Sequence, residues 1–143
     1  MLSHRLRITA GVILMLVLIT QMSGCGGGAI AGLMSFLEIT KATTIIPDDW
    51  TSDGGIIKIL ADIAGDGIRE VRAFIKRLGD SDAKPIVLTL NSKGEYEGTY
   101  EAEANTSSTE PDTYSVVVTA TDDTGTAVAS DPVSFEVPAA DNP

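Results

Sequence analysis

Histidine and cysteine carry much of the nucleophilic and metal chemistry of proteins, and this chain of 143 residues has one of each, His4 and Cys25. A Ser–His–Asp or Cys–His site needs an imidazole beside its nucleophile, and zinc sites usually need several such ligands. The glycine-containing stretches "GGG" (residues 26–28) and "AGDGIRE" (residues 64–70) lack the lysine spacing of a phosphate-binding loop. The role of Cys25 therefore decides whether any cysteine-based catalysis or metal binding is available to this protein.

The first 24 residues have the pattern of an export signal. Residues 1–7 carry His4, Arg5 and Arg7 without an acid, and residues 8–20 are almost wholly apolar. A membrane-spanning helix needs about 20 apolar residues, so this run is too short to cross a bilayer. A basic start followed by a short apolar run and small residues is typical of a secretory signal peptide.

The sequence Met22-Ser23-Gly24-Cys25 at the end of that segment resembles the lipobox of bacterial lipoproteins, although Met22 stands where leucine is commoner. The resemblance implies that the Cys25 thiol receives a diacylglyceryl group, that cleavage occurs before Cys25, and that the new amino terminus is acylated, for example with palmitate. The alternative is an ordinary signal peptide or an uncleaved anchor with an incidental cysteine.

Cleavage before Cys25 leaves 119 residues with eight basic and twenty acidic side chains, a formal charge of −12 and no histidine. This charge argues against nucleic acid or anionic lipid headgroups as partners, because both require a basic surface. Catalysis by a pair of carboxylates requires a cleft, which one small domain rarely builds. We therefore expect no enzyme, no disulfide and one domain of ordinary size.

From residue 38 onward apolar side chains alternate with polar ones, and turn residues interrupt the pattern at short intervals, which predicts an all-β sandwich. In "EYEGTYEAEA" (residues 95–104), Tyr96, Gly98, Tyr100, Ala102 and Ala104 share one face, and glutamates dominate the other. Similar alternation predicts buried positions in other segments: Ile57, Ile59, Ala61 and Ile63; Ile86, Leu88 and Leu90; Tyr114, Val116, Val118 and Ala120; Val133, Phe135 and Val137.

The segment "GIREVRAFIKRLG" (residues 67–79) has a second interpretation. As an amphipathic helix it would place Ile68, Val71, Phe74, Ile75 and Leu78 on one side, between Asp66 as a cap and Gly79 as a stop. As a strand it would bury Val71, Ala73 and Ile75. Because strands are predicted on both sides, we expect a strand.

The pieces "EITKATTIIPDDWTSDGGIIKILADIAGDGIREVRAFI", "GEYEGTYEA" and "DTYSVVVTATDDTGTAVASDPVSFEV" resemble bacterial immunoglobulin-like domains. The resemblance implies a Greek-key β-sandwich of about seven strands. The expected organisation is a signal peptide (1–24), a lipidated cysteine with a flexible tether (25–37), the sandwich (38–138) and a disordered tail (139–143). Such domains act as spacers, stalks, or adhesive and carbohydrate-contacting modules, and the fold alone implies no activity.

Two aromatic residues stand out within this framework. Tyr114 lies where the sandwich family places its tyrosine corner, and its hydroxyl is expected to bond the backbone near Glu110 or Pro111. Trp50 is the only tryptophan and lies in the turn "PDDWTSDGG". It is expected either to cap the end of the core or to contact a ligand such as a sugar.

In an immunoglobulin-like layout the turn "DIAGDG" and the hairpin "TDDTG" lie at the same end of the sandwich. Asp62, Asp66, Asp122 and Asp123 could then converge on a calcium ion, which takes six to eight oxygen ligands. The alternative is that these aspartates only form turns, because Asp bonds its own backbone readily.

The resulting hypothesis is a lipid-anchored cell-envelope protein that acts as a structural or binding module toward a protein or glycan ligand. The alternative is an accessory subunit of an envelope transport or polysaccharide-handling complex that contributes exposed strand edges. Gly26 follows Cys25 in place of an aspartate that would resemble an inner-membrane retention signal. The expected location is therefore the outer membrane of a two-membrane bacterium, or the outer face of the plasma membrane otherwise.

Overall fold

The computed structural model of this chain describes residues 36–140. Cys25 and the lipobox-like residues Met22, Ser23 and Gly24 lie outside the described residues, as do most of the tether and the last three residues of the tail. Within residues 36–140 no helix has the length and hydrophobicity that a membrane span requires.

The described part of the chain is all-β, with strands that follow one another through turns and loops. In chain order they are β1 (Leu37–Ile45), β2 (Gly55–Gly65), β3 (Ile68–Arg77), β4 (Lys84–Val87), β5 (Thr89–Leu90), β6 (Tyr96–Ala102), β7 (Asp112–Asp122), β8 (Ala127–Ala129) and β9 (Val133–Val137).

These strands form two antiparallel sheets. The first has the order β1-β2-β6-β5, and the second has the order β4-β3-β7-β8, with β9 also paired to β7. β8 and β9 lie along the same edge of β7, since Thr121 to Thr119 pair with β8 and Val116 to Asp112 pair with β9. Residues 130–132 interrupt this edge, where the Ser130 hydroxyl accepts a hydrogen bond from the Val118 N–H at 3.0 Å.

One hydrophobic core fills the space between the two sheets, as the alternating pattern predicts. The fully buried positions include Ile57 and Ile59 of β2, together with Val116 and Val118 of β7. The predicted pattern fails at two strand ends, because β5 ends at Leu90 with its side chain exposed and β6 ends at Ala102, which leaves Ala104 exposed. The prediction of a β-sandwich-like, all-β fold is confirmed.

The segment with two interpretations is a strand. β3 pairs with β7 along nearly its whole length, and Val71, Ala73 and Ile75 are buried. Phe74 lies on the outer face of the sheet, half-buried between Pro85 and Val117 of the neighbouring strands. The apolar residues of this segment also fit helical spacing. A helix, however, would lose the pairing with both neighbouring strands, and this pairing decides the conformation.

The two ends of the sandwich differ in their connections. Short turns at residues 66–67, 91–95 and 123–126 lie at the end where β1 begins, which we call the short-turn end. Longer connections at residues 46–54, 78–83 and 103–111 lie at the opposite end, the long-loop end, where β9 also finishes. Gly94 and Gly125 both have φ of 86°, as expected of glycines that complete hairpin turns.

All four edges of the two sheets in residues 36–140 have features that discourage pairing with another strand. β1 has a bulge at Thr40, β4 contains Pro85, β5 has two residues, and Pro132 lies in the interruption between β8 and β9. Bulges, prolines and short edge strands are the usual means of preventing edge-to-edge association.

Candidate functional site

The loop that carries Trp50 is built from two successive tight turns. The Trp50 N–H donates to the Pro47 carbonyl at 3.2 Å, and the Gly54 N–H donates to the Thr51 carbonyl at 3.2 Å. The Thr51 hydroxyl also accepts a hydrogen bond from the Asp53 N–H at 3.3 Å. Pro favours such turns because its ring presets φ, Asp and Ser because their side chains bond nearby backbone, and Gly because it adopts positive φ without strain. The loop therefore has a defined conformation.

Trp50 is held in place from two sides. Its indole Nε1–H donates to the Glu136 carbonyl at 2.8 Å, and its ring meets Phe135 edge-on, with centroids 6.4 Å apart at an angle of 75°. Gly55 follows the loop with φ of 132°, and a Cβ added there would lie 3.6 Å from the ring. These contacts anchor the ring at the end of the core, which is the capping role expected for Trp50 as one of two alternatives. They also fix the orientation of the ring.

The remaining surface of Trp50 lines a hollow of about 400 Å³ at the long-loop end. We call this the Trp50 hollow, and its other walls are Pro47, Asp49, Thr51, Ile56 and the glycines Gly54 and Gly55. Ile56 is 62% exposed and forms an apolar wall of the hollow. The hollow therefore combines an oriented aromatic ring, an exposed aliphatic wall and polar oxygen atoms.

The hollow has an acidic character. Asp49 lines it, Asp48 and Asp53 lie in the same loop, and all three are exposed. None of these carboxylates forms a salt bridge with any residue between 36 and 140. Lys58, which follows Ile56 on the same face of β2, is paired with Glu97 at 2.9 Å. The negative charge at this loop is therefore not neutralised locally.

Asn105 ties the Trp50 loop to the rest of the long-loop end. Its side chain is buried at 4% exposure, and its Nδ2 donates to the carbonyls of Glu110 at 2.8 Å and Val137 at 3.2 Å. Its backbone N–H donates to the Ser52 carbonyl at 2.7 Å, and its Oδ1 accepts from the Ser107 N–H at 2.8 Å. One residue thus joins three separate segments of the chain.

Asn105→Ala is expected to lower the free energy of unfolding by about 2–3 kcal/mol, because the buried bond to the Val137 carbonyl and the part-buried bonds to the Glu110 carbonyl and the Ser107 N–H are lost at once. The control is Asn91→Ala in the short-turn end, whose side chain is only half-buried and bonds its own turn. Urea denaturation followed by far-ultraviolet circular dichroism measures both. Equal losses for the two variants would contradict the proposed role of Asn105 in holding the loops together.

The expected tyrosine corner is not formed. Tyr114 is buried at 1% exposure, but its hydroxyl has no hydrogen-bond partner in residues 36–140. The Glu110 carbonyl, which lies in the segment expected to accept this bond, is bonded by Asn105. The ring instead stacks on Phe135 with centroids 4.8 Å apart, and it meets Tyr100 edge-on at 6.1 Å. Tyr114 is therefore a core residue held by aromatic packing.

The four aspartates considered for calcium do not form a ligand cluster. Within the described residues no three acidic, histidine or cysteine side chains form a group that could hold a metal ion. The turns containing Asp66 and Asp123 do adjoin, since the Asp123 N–H donates to the Gly67 carbonyl at 2.9 Å. Asp62, however, lies within β2 opposite Lys41.

Asp122 is buried at 1% exposure at the end of β7. Its Oδ1 accepts bonds from the backbone N–H groups of Thr124 and Thr126 and from the Thr124 hydroxyl, at 2.9, 2.9 and 2.6 Å. This carboxylate thus organises the turn between β7 and β8. Turn formation is the alternative to calcium binding that the sequence offers for these aspartates.

No protein-family model matches this sequence, and a search of curated proteins finds no similar sequence.

Proposed function

We propose that this chain is a lipid-anchored protein of the bacterial cell envelope whose immunoglobulin-like Greek-key sandwich acts as a non-catalytic binding module. The lipobox-like Met22–Cys25 sequence supports the anchor, and the charge of the remaining chain supports a solvated domain outside the membrane.

Strand order supports the immunoglobulin-like topology. In that family one sheet contains strands A, B, E and D, and the other contains C, F and G with an added C′ in some members. The order β1-β2-β6-β5 corresponds to A-B-E-D, and β4-β3-β7 with β8 and β9 corresponds to C′-C-F-G. In this correspondence the interrupted pair β8 and β9 is a single G strand with a bulge.

The observation that carries the binding role is the position of the Trp50 hollow. The chain enters the sandwich through β1 at the short-turn end, whereas the hollow lies at the long-loop end. A tether of about twelve residues from Cys25 to β1 reaches at most about 40 Å. In the proposed protein the tether would join the sandwich at the short-turn end, and the hollow would lie at the opposite end.

The second hypothesis, an accessory subunit that adds its strand edges to a larger complex, receives less support. A bulge, a proline or a very short strand is present at each sheet edge in residues 36–140. A module that recruits partners by strand addition needs a longer, regular edge.

Cys25→Ser is expected to abolish lipid attachment and to leave the precursor uncleaved, because the thioether requires a thiol. Detergent-dependent fractionation and intact mass measurement report both effects. Ser23→Ala is the matched control, since it keeps a small residue beside the cleavage position and should remain in the membrane fraction. An unchanged membrane fraction and mass for Cys25→Ser would rule out the anchor.

Gly26 after the anchor cysteine supports the outer membrane as the location in a two-membrane bacterium. Separation of inner- and outer-membrane vesicles tests this location, and recovery with the inner-membrane vesicles would contradict it.

A further inference from the structure

We propose that the Trp50 hollow binds the cationic side chain of a lysine or arginine from a basic protein segment. This inference rests on the proposed binding role and names its ligand chemistry. It depends on three features of the hollow: its oriented aromatic ring, its negative charge and its exposed aliphatic wall.

The aromatic ring is suited to a cation. A Lys ammonium or Arg guanidinium is attracted to the face of an aromatic ring, and tryptophan is the best of the aromatic side chains for this contact. Trp50 is already oriented by Glu136 and Phe135, so little further ordering is needed on binding.

The charges around the hollow favour the same ligand. Asp49 lines the hollow, Asp48 and Asp53 belong to its loop, and no lysine or arginine is among its lining residues. Three exposed carboxylates without a salt-bridge partner in residues 36–140 produce a negative potential that attracts cations and repels anions.

Some of the donors at the hollow are already used. The indole N–H of Trp50 is bonded to Glu136, and the backbone N–H groups of Trp50 and Gly54 are bonded within the loop. The Asp49 carboxylate is an acceptor that matches the donor-only Lys and Arg heads. The Thr51 hydroxyl also lines the hollow and can donate as well as accept, so the test below includes a sugar.

Ile56 favours a cation carried by an amino-acid side chain over a bare metal ion. Lys and Arg bury their aliphatic stems along apolar surface while the charged head stays among polar groups. The exposed Ile56 side chain forms such a surface beside the ring, with Asp49 lining the same hollow. A bare metal ion would make no use of this wall.

The test uses the full-length lipidated protein in a nonionic detergent and the fluorescence of Trp50, the only tryptophan in the chain. The probes are a short peptide of alternating lysine and serine, the same peptide with glutamine for lysine, and an N-acetylglucosamine oligosaccharide. The lysine peptide is expected to give a saturable spectral change whose Kd rises about tenfold on moving from low to high salt. The two neutral probes are expected to give no change.

Amino-acid substitutions test whether the change in Trp50 fluorescence comes from binding in the hollow. Asp49→Asn and Ile56→Ser are each expected to weaken lysine-peptide binding severalfold without changing Tm. The matched controls, Asp80→Asn and Val87→Ser, alter an exposed acid and an exposed apolar residue outside the hollow and should bind like the unmodified protein.

Three results would overturn the inference: equal binding of the glutamine peptide, binding of the oligosaccharide that is insensitive to salt and to Asp49→Asn, or no spectral change with any probe. The second of these would assign the hollow to a neutral glycan. Failure of the anchor is measured separately by the fractionation of Cys25→Ser, so the two proposals can fail independently.

Discussion

Tyr114→Ala is expected to lower the free energy of unfolding by about 3–5 kcal/mol, because a buried aromatic ring is replaced by a cavity. The ring lies between the two sheets, stacked on Phe135 and in edge contact with Tyr100. Small domains are stable by only about 5–15 kcal/mol, so this loss is a large fraction of the total. Urea denaturation followed by circular dichroism measures it.

Tyr114→Phe is expected to have the opposite sign and to stabilise the protein by about 1 kcal/mol, because it removes a buried hydroxyl that has no partner in the described part of the chain. A corner hydrogen bond would instead make this substitution destabilising by about 1–3 kcal/mol. Tyr100→Phe is the control and should change stability little. A clear loss for Tyr114→Phe would show that the hydroxyl is bonded.

The pH dependence offers an independent measurement of the same group. Burial raises the pKa of the Tyr114 phenol above its usual value. The neutral phenol is favoured in the folded state, so the stability linked to it is present below about pH 10, the ordinary tyrosine pKa, and is lost as the pH rises above that value. Tyr114→Phe should therefore reduce the alkaline loss of stability.

Gly54→Ala is expected to destabilise the protein by about 3 kcal/mol or more, because backbone strain and a steric clash combine at this position. Gly54 has φ of 70°, and an added Cβ would collide with the backbone carbonyl oxygens of Ala102 and Glu103. These backbone atoms belong to the last residue of β6 and the residue after it, and they cannot move aside as a flexible side chain would. Thermal denaturation measures the loss.

Gly125→Ala is the matched control for this prediction. Gly125 also has a positive φ, 86°, but an added Cβ would meet no atom within 4 Å. Its cost is therefore only the backbone strain of a left-handed residue, about 1–2 kcal/mol. Similar losses for the two alanine variants would show that the contact with β6 is unimportant.

The sequence predicts the strands and the core because both depend on local alternation. In β7, the pattern from Tyr114 to Ala120 places every second residue in the core, and the structure agrees. β3 could be assigned only with the help of its neighbours, since its apolar spacing also fits a helix. The two-residue strand β5 could not be located, because so short a strand leaves no periodic signal.

The candidate site is less predictable, because it depends on contacts between distant segments. Trp50 stands out as the only tryptophan, but its bond to Glu136 joins residues 86 positions apart. Asn105 lies in a polar loop where asparagine is common, so nothing local marks it as the residue that bonds Glu110 and Val137. The family resemblance predicts a backbone partner for the Tyr114 hydroxyl near Glu110, but in the structure Asn105 bonds the Glu110 carbonyl.

The start of β1 and the Trp50 hollow lie at opposite ends of the sandwich, and this placement has a mechanical consequence. In the proposed protein, the membrane holds the start of β1, and a bound partner would pull on the loops at the far end. Because the loop that carries Trp50 directly follows β1, most of this tension would run through the covalent backbone of β1, which pairing with β2 holds extended. In the proposed arrangement a pull on the ligand would therefore reach the anchor without passing through the hydrogen bonds between the strands.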